Sequence, residues 1–272
     1  MTKPYILVTN DDGIDSPGLA AAVAALDPLG ELLIVAPLVQ QTSMGRSRPA
    51  RGGTSGKLVK RSVQYADQTW EAVAVDATPA LTVEHGIQEI AHRPIDLAVS
   101  GINYGENIGS CVTVSGTIGA ALEAAERGIL ALAVSLELNN TDYYTHDASI
   151  DFGASMHFLH SFATQALYAN LQEDVDVLKI EVPPEATPET NWVVTRQDRL
   201  AYYKPVIGRR ADIFTGETEV SYTPLKGEYT SEDTDAYALA RGFVSVTPLS
   251  LDLTSRVDLS ELKNSLSKKR GK

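Results

Sequence analysis

Residues 5–19 read YILVTNDDGIDSPGL. Tyr5, Ile6, Leu7 and Val8 form a continuous apolar run, the pattern of a strand buried on both faces of a parallel sheet. Asp11 and Asp12 then fall at its carboxyl end. Gly13 permits a tight turn, Ser16 can cap a helix, Pro17 suits its first position, and GLAAAVAAL carries the helix on. The order strand, acidic loop, helix sets two like charges where open α/β sheets bind ligands, outside the carboxyl ends of the strands. Two carboxylates forced together there suggest a positive charge between them. A solvated turn is the plain alternative, because Asp and Gly are ordinary turn formers.

Similar apolar runs recur at ELLIVAP, IDLAVSG, LALAVSL and VLKIEVP, with helix-like stretches between most of them. The alternation predicts a doubly wound, mostly parallel sheet. The helical stretches run from Pro17 to Leu26, Pro79 to Ala91, Gly116 to Arg127 and roughly Phe152 to Leu171. After about residue 185 the chain turns rich in Tyr, Thr and Val between turn residues, which predicts projecting hairpins, followed by a short helix in DTDAYALARGF and a last strand in VSVTPLSLDL. The expected division is an α/β catalytic domain over 1–185, a β-hairpin and C-terminal oligomerisation segment packed on it over 186–255, and a basic, flexible tail over 256–272.

Bulk properties narrow the function. The 272 residues can bury a full core, and 43% hydrophobic with 21% charged residues is ordinary for a globular protein. A net charge of −12 argues against binding a nucleic-acid polymer or an anionic membrane. Cys111 is the only cysteine, so no intrachain disulfide forms. The start MTKPYILV lacks a signal-peptide layout, and no apolar run reaches the ~18 residues of a membrane span, so a cytoplasmic protein is expected. GGTSGKL fails as a phosphate loop because Arg51 stands where the first glycine belongs and Leu58 where Ser or Thr should hold magnesium.

Chemistry gathers after the other predicted strands. LIVAP is followed by LVQQTSMGRS, with hydroxyls at Thr42, Ser43 and Ser47; DLAVSG is followed by INYGENIGSCVTVSGT, polar and glycine-rich up to the next helix. Residues Ser115, Gly116 and Thr117 open that helix, where backbone N–H groups and the helix dipole favour an anion. Alone, this is as well a capped helix as a phosphate cradle. Together with the carboxylates it forms a set of oxygen donors suited to magnesium, manganese or calcium rather than to zinc or copper. A hard cation beside an anion-binding helix end is the arrangement expected for metal-assisted chemistry on a phosphate ester.

Four motifs in this order, TNDDGIDSPGL, VAPLVQQTSMGRS, VSGINYGEN and VSGTIGAALEA, supported by DATPALTV and TDAYALARGFVSVTPLSLDLT, resemble the SurE family of survival-protein nucleotidases over about residues 4 to 254. The resemblance implies a Rossmann-like α/β domain with a projecting hairpin, assembled as a homodimer or homotetramer, and hydrolysis of nucleoside 5′- and 3′-monophosphates with one magnesium or manganese ion per subunit. Carried over by position, the metal ligands are Asp11, Asp12, Asn103 and Thr42, the phosphate contacts are Asn107, Ser115, Gly116 and Thr117, and Asp11 and Asp12 are the catalytic carboxylates. Thr42 stands where the family usually has serine followed by glycine, which leaves Ser43 as the alternative ligand. Leu38, Val39, Ala77, Cys111 and Val114 also depart from the family pattern, at the rim of the pocket rather than in the metal set.

The expected reaction is attack by metal-activated water rather than through a covalent intermediate. A haloacid-dehalogenase-type phosphatase needs Asp-x-Asp, but the position two before Asp12 is Asn10. A noncatalytic nucleotide-binding module has no need of the Asp11 and Asp12 doublet.

Overall fold

The computed structural model describes residues 2–138, 147, 149–169 and 171–267. Its main sheet has nine strands: β1 (Tyr5–Thr9), β2 (Glu31–Pro37), β3 (Leu58–Tyr65), β4 (Gln68–Val75), β5 (Leu97–Tyr104), β6 (Ala131–Leu136), β7 (Val177–Val182), β8 (Trp192–Val194) and β11 (Val244–Leu249). They lie in the order β3-β4-β2-β1-β5-β6-β7-β11-β8. β4, β2, β1, β5, β6 and β7 run parallel, while β3 is antiparallel to β4 and β11 to β7. The remaining strands, β9 (Tyr203–Ile207) and β10 (Val220–Pro224), pair only with each other. This is the α/β architecture with a separate hairpin that the alternation of runs predicts. No helix among the described residues is long and apolar enough to cross a membrane.

The two faces of the sheet are covered by different helices. α1 (Pro17–Leu26) and α4 (Gly153–Tyr168) pack on one face, α2 (Pro79–His85) and α3 (Gly116–Glu126) on the other. β1 shows why its apolar run is unbroken: Ile6 and Val8 enter the core under α1, and Tyr5 and Leu7 enter the core under α2 and α3. Alternate residues of one strand thus serve opposite layers, each such burial contributing about 1.5–3 kcal/mol. The helix expected over Pro79 to Ala91 ends as α-helix at His85 and finishes in a π-helical turn, Gly86–Ile90. Short α5 (Asp235–Ala240) precedes β11 as anticipated. The tail carries α6 (Leu259–Ser267), none of whose residues is buried.

Two features were not anticipated. β3 and β4 form a hairpin whose Ala66–Asp67 turn lacks the glycine usual in such loops, with Ala66 at φ 48°. A third small core, Ile108, Tyr202, Ala236 and Leu239, ties the loop after β5 to α5 and to the start of β9.

Candidate active site

β1 sits where the parallel sheet changes direction, with β2 on one side and β5 on the other. That is the crevice in which α/β sheets place ligands. At its carboxyl end the Asn10 side chain closes the turn on Gly13, donating from Nδ2 to the Gly13 carbonyl (3.0 Å) and accepting from the Gly13 N–H at Oδ1 (3.1 Å). Gly13 adopts φ 96°, which favours glycine. The loop after β2 is stitched to this turn, since Ile14 N donates to Pro37 O (2.8 Å) and Gln41 N to Asp11 O (2.7 Å). Asn10 is therefore a structural member of the motif, its amide consumed by the turn.

Asp11 and Asp12 lie side by side under this loop, only 4% and 2% exposed. Asp11 Oδ1 accepts from Thr117 Oγ1 (2.6 Å) at the start of α3. Asp12 accepts from Gln40 Nε2 (3.1 Å) and from the Tyr104 N–H (3.1 Å) at the end of β5. Three strand ends and one helix end thus converge on two carboxylates. Burial pushes the Asp11 carboxyl up to about 6, with the Thr117 hydrogen bond pulling the other way. Burial also pushes Asp12 well above the usual carboxylate range, and the Asp11 charge adds to the rise. Neighbouring charges that resist ionising together fit a divalent cation, which stabilises both charges at once.

The remaining expected ligands lie on β5 and on the loop after β2. Asn103 is 8% exposed and gives its Nδ2 to Gly105 O (2.7 Å), so its amide oxygen is the end that can serve a cation. Thr42 is half-buried one residue beyond Gln41, whereas Ser43 is exposed with φ 63°. No hydrogen bond among the described residues joins the Thr42 hydroxyl to Asp11 or Asp12. The loop is instead anchored to α3 further on: Gly45 N donates to Val114 O (2.9 Å), Arg46 Nε to Glu123 Oε2 (2.7 Å) and Arg48 Nη1 to Glu123 Oε1 (3.1 Å), and Arg46 also pairs with Glu126.

At the helix end, Ser115 caps α3 by accepting from the Ile118 N–H (3.2 Å), which keeps its own hydroxyl proton available to a ligand. Gly116 lies against Asp11, where an added Cβ would stand 2.7 Å from both Cβ and Oδ2 of that residue. Only a residue without a side chain permits this approach. Asn107, 8% exposed, donates from Nδ2 to Ser135 Oγ (3.0 Å) and Thr117 Oγ1 (3.4 Å). Asp11, Asp12, Asn107, Ser115, Gly116 and Thr117 therefore share one buried cluster, with Asn103 beside it in β5.

Beneath Asn107 lies a charged group that the sequence reading passed over. Lys179 and Glu181 of β7 and Asp235 of α5 are all fully buried. Lys179 Nζ reaches Asp235 Oδ2 (2.8 Å) and the Asn107 carbonyl (2.9 Å), and Glu181 Oε2 accepts the Asn107 N–H (2.9 Å). Burial lifts the Glu181 carboxyl to about 7; Lys179 and the Asn107 N–H pull it down, while Asp235 and Glu106 add to the rise. The readable signal was the pair of charges at same-face spacing inside the apolar run VLKIEVP.

Comparison with known proteins fits this geometry. The family model described as survival protein SurE matches residues 6–204. A 5′-nucleotidase SurE of Thermococcus gammatolerans is 41% identical over 265 residues, covering 96% of this chain and 95% of that protein. The 5′-nucleotidase SurE of Archaeoglobus fulgidus is 40% identical, covering 93% and 94% of the two chains. Among solved structures, the SurE protein from Aquifex aeolicus superposes with a TM-score of 0.73 at 30% identity, covering 97% of this chain and all of that one.

Proposed function

Because the chain belongs to the survival protein SurE family, we propose that it hydrolyses nucleoside 5′- and 3′-monophosphates with the help of a divalent cation held at Asp11 and Asp12. That it is a 5′-nucleotidase follows from full-length relatives of that name at about 40% identity. The observation that carries the finer reading is the buried carboxylate pair in hydrogen-bond contact with the first turn of α3. Asp11, Asp12, the Asn103 amide oxygen and the Thr42 hydroxyl would hold magnesium or manganese, which supplies Lewis-acid polarisation of the phosphoryl group when bound.

The residues of the chain provide the rest. The N–H groups of Gly116 and Thr117 and the Ser115 hydroxyl point the positive end of α3 at the phosphoryl oxygens, stabilising charge that grows in the transition state. Asn107 adds an amide donor on the same side. Asp11 and Asp12 are the groups able to orient the attacking water and take its proton. Asn10, two positions before Asp12, is spent on the Gly13 turn and supplies no nucleophile. Direct attack by water is the reading adopted.

The test is phosphate release from paired 5′- and 3′-nucleoside monophosphates, with protein stripped by EDTA and then given magnesium or manganese. We expect little release after stripping, and recovery with either ion on both ester classes. Undiminished release by the stripped protein removes the cation from the mechanism; release from 5′ esters alone removes the 3′ activity.

The hairpin suggests how copies assemble. β9 and β10 stand off the main sheet, and Ile213 and Phe214 at the tip are 75% and 92% exposed, with Ile207, Val220 and Tyr222 also bare. A two-stranded hairpin is marginal alone in water, so this arm needs a partner surface, most economically a second copy of the chain. Replacing Lys204–Ser221 by a short glycine linker should convert a dimer or larger species into a monomer by light scattering. A folded deletion variant that keeps its original assembly state excludes the hairpin as the contact.

A further inference from the structure

The orientation of the Asn107 side chain follows from proton counting. Ser135 has one hydroxyl proton; with Glu181 ionised it is donated to Glu181 Oε1 (3.3 Å), which leaves the Ser135 oxygen to accept from Asn107 Nδ2 (3.0 Å). Thr117 repeats the arrangement on the other side. Its proton goes to Asp11 Oδ1 (2.6 Å), and its oxygen faces Asn107 Nδ2 (3.4 Å). Turning the amide over would set its oxygen against two hydroxyl oxygens that have no proton to offer. Glu181 also grips the Asn107 backbone, accepting its N–H at Oε2 (2.9 Å), while Lys179 Nζ donates to the Asn107 carbonyl (2.9 Å). Lys179 is held in turn by Asp235 (2.8 Å), whose Oδ2 also accepts from the Gly109 N–H (3.2 Å).

We propose that Glu181 is a positioning residue for the nucleotidase reaction, setting the amide orientation of Asn107 through the Ser135 hydroxyl, with Lys179, itself held by Asp235, facing its charge. It reaches no substrate atom. It acts by favouring one orientation of Asn107: one amide hydrogen is fixed on Ser135, and the other, engaged by Thr117 only at 3.4 Å, is the one a phosphate oxygen can take over. The inference rests on the nucleotidase reading and on Asn107 as a phosphate contact.

Glu181→Gln keeps the shape but presents an NH2 group as well as an oxygen. With the oxygen turned to the Asn107 N–H, the NH2 faces Ser135, the serine proton is released, and the Ser135 side no longer rejects the turned-over amide. Misplacing a substrate-positioning group by about 1 Å can cost about 100-fold in rate. The expected result for Glu181→Gln is a fall in kcat/KM of about that size, with inhibition by inorganic phosphate weakened in parallel. The manganese concentration for half-maximal activity should stay at the wild-type value. Ser135→Ala should give a similar loss, and the double variant should be no worse than the poorer single one, because both act on one relay. A purely structural role predicts instead a shifted melting temperature and losses that multiply.

Wild-type kcat/KM in folded Glu181→Gln, or multiplying losses, overturns the proposal. Where Glu181→Gln fails to fold, Ser135→Ala decides: a wild-type kcat/KM there overturns it, and a tenfold or greater loss with weakened phosphate inhibition supports it. A wild-type protein that releases no phosphate from any nucleoside monophosphate in magnesium or manganese is a different failure, since it removes the nucleotidase reading itself.

Discussion

Asp11→Asn and Asp12→Asn should each reduce phosphate release in saturating manganese by about a thousandfold, since Lewis-acid assistance is worth several kcal/mol and each 1.36 kcal/mol is a factor of ten. Asn is nearly isosteric, and it relieves a repulsion between two buried carboxyls that both resist ionising. The folded state should therefore survive, or gain stability, while activity collapses. The raised carboxyls also set the pH dependence of cation affinity. In the proposed site a cation would bind the ionised pair, so protons compete with it, and affinity should fall as pH drops through the raised range of the two carboxyls. Titrating manganese at a series of pH values checks the sign. Near wild-type turnover by both variants, with melting curves intact, sinks the metal-site reading.

Gly116→Ala should cost about a hundredfold in turnover, the effect expected when reacting groups are misplaced by about 1 Å. The added Cβ would stand 2.7 Å from Asp11 Oδ2 and Cβ, so either the carboxylate or the first turn of α3 must move. The helix itself has no objection, because Ala is the better helix former by about 1 kcal/mol. A large kinetic defect beside a small change in melting temperature therefore reports on the contact and not on the fold. A wild-type rate in this variant would show that Asp11 and α3 can separate at no cost to catalysis.

Where the sequence was legible, the chemistry lay in consecutive residues. NDDG and SGT each carry their own turn or cap, so their places at a strand end and a helix start could be read locally, and α1 runs over Pro17–Leu26 as its spacing predicts. The β3–β4 hairpin escaped because its turn lacks the usual glycine and because β3 is mostly exposed, which leaves Lys60, Arg61 and Gln64 in what would otherwise be an alternating pattern. Lys179 and Glu181 escaped for the opposite reason: their strand read as apolar, and the partner that makes burial of the lysine tolerable is Asp235, far along the chain. Local pattern reveals which groups are present; which charges neutralise one another is a property of the closed sheet.

The insertion of β11 beside β7 bears on how the protein is made. A ribosome releases the chain from its amino end at about 5–20 residues per second. NDDG, SGIN and SGT therefore emerge before Asp235 and Val244–Leu249. Until they do, β7 presents an open edge, and Lys179 lacks the carboxylate it meets in the finished sheet. A nascent or prematurely terminated chain that stops short of residue 235 holds NDDG, SGIN and SGT and still lacks the anchor beneath Asn107. That anchor thus belongs to a chain translated past residue 235, and translation itself sets the earliest moment at which it can form.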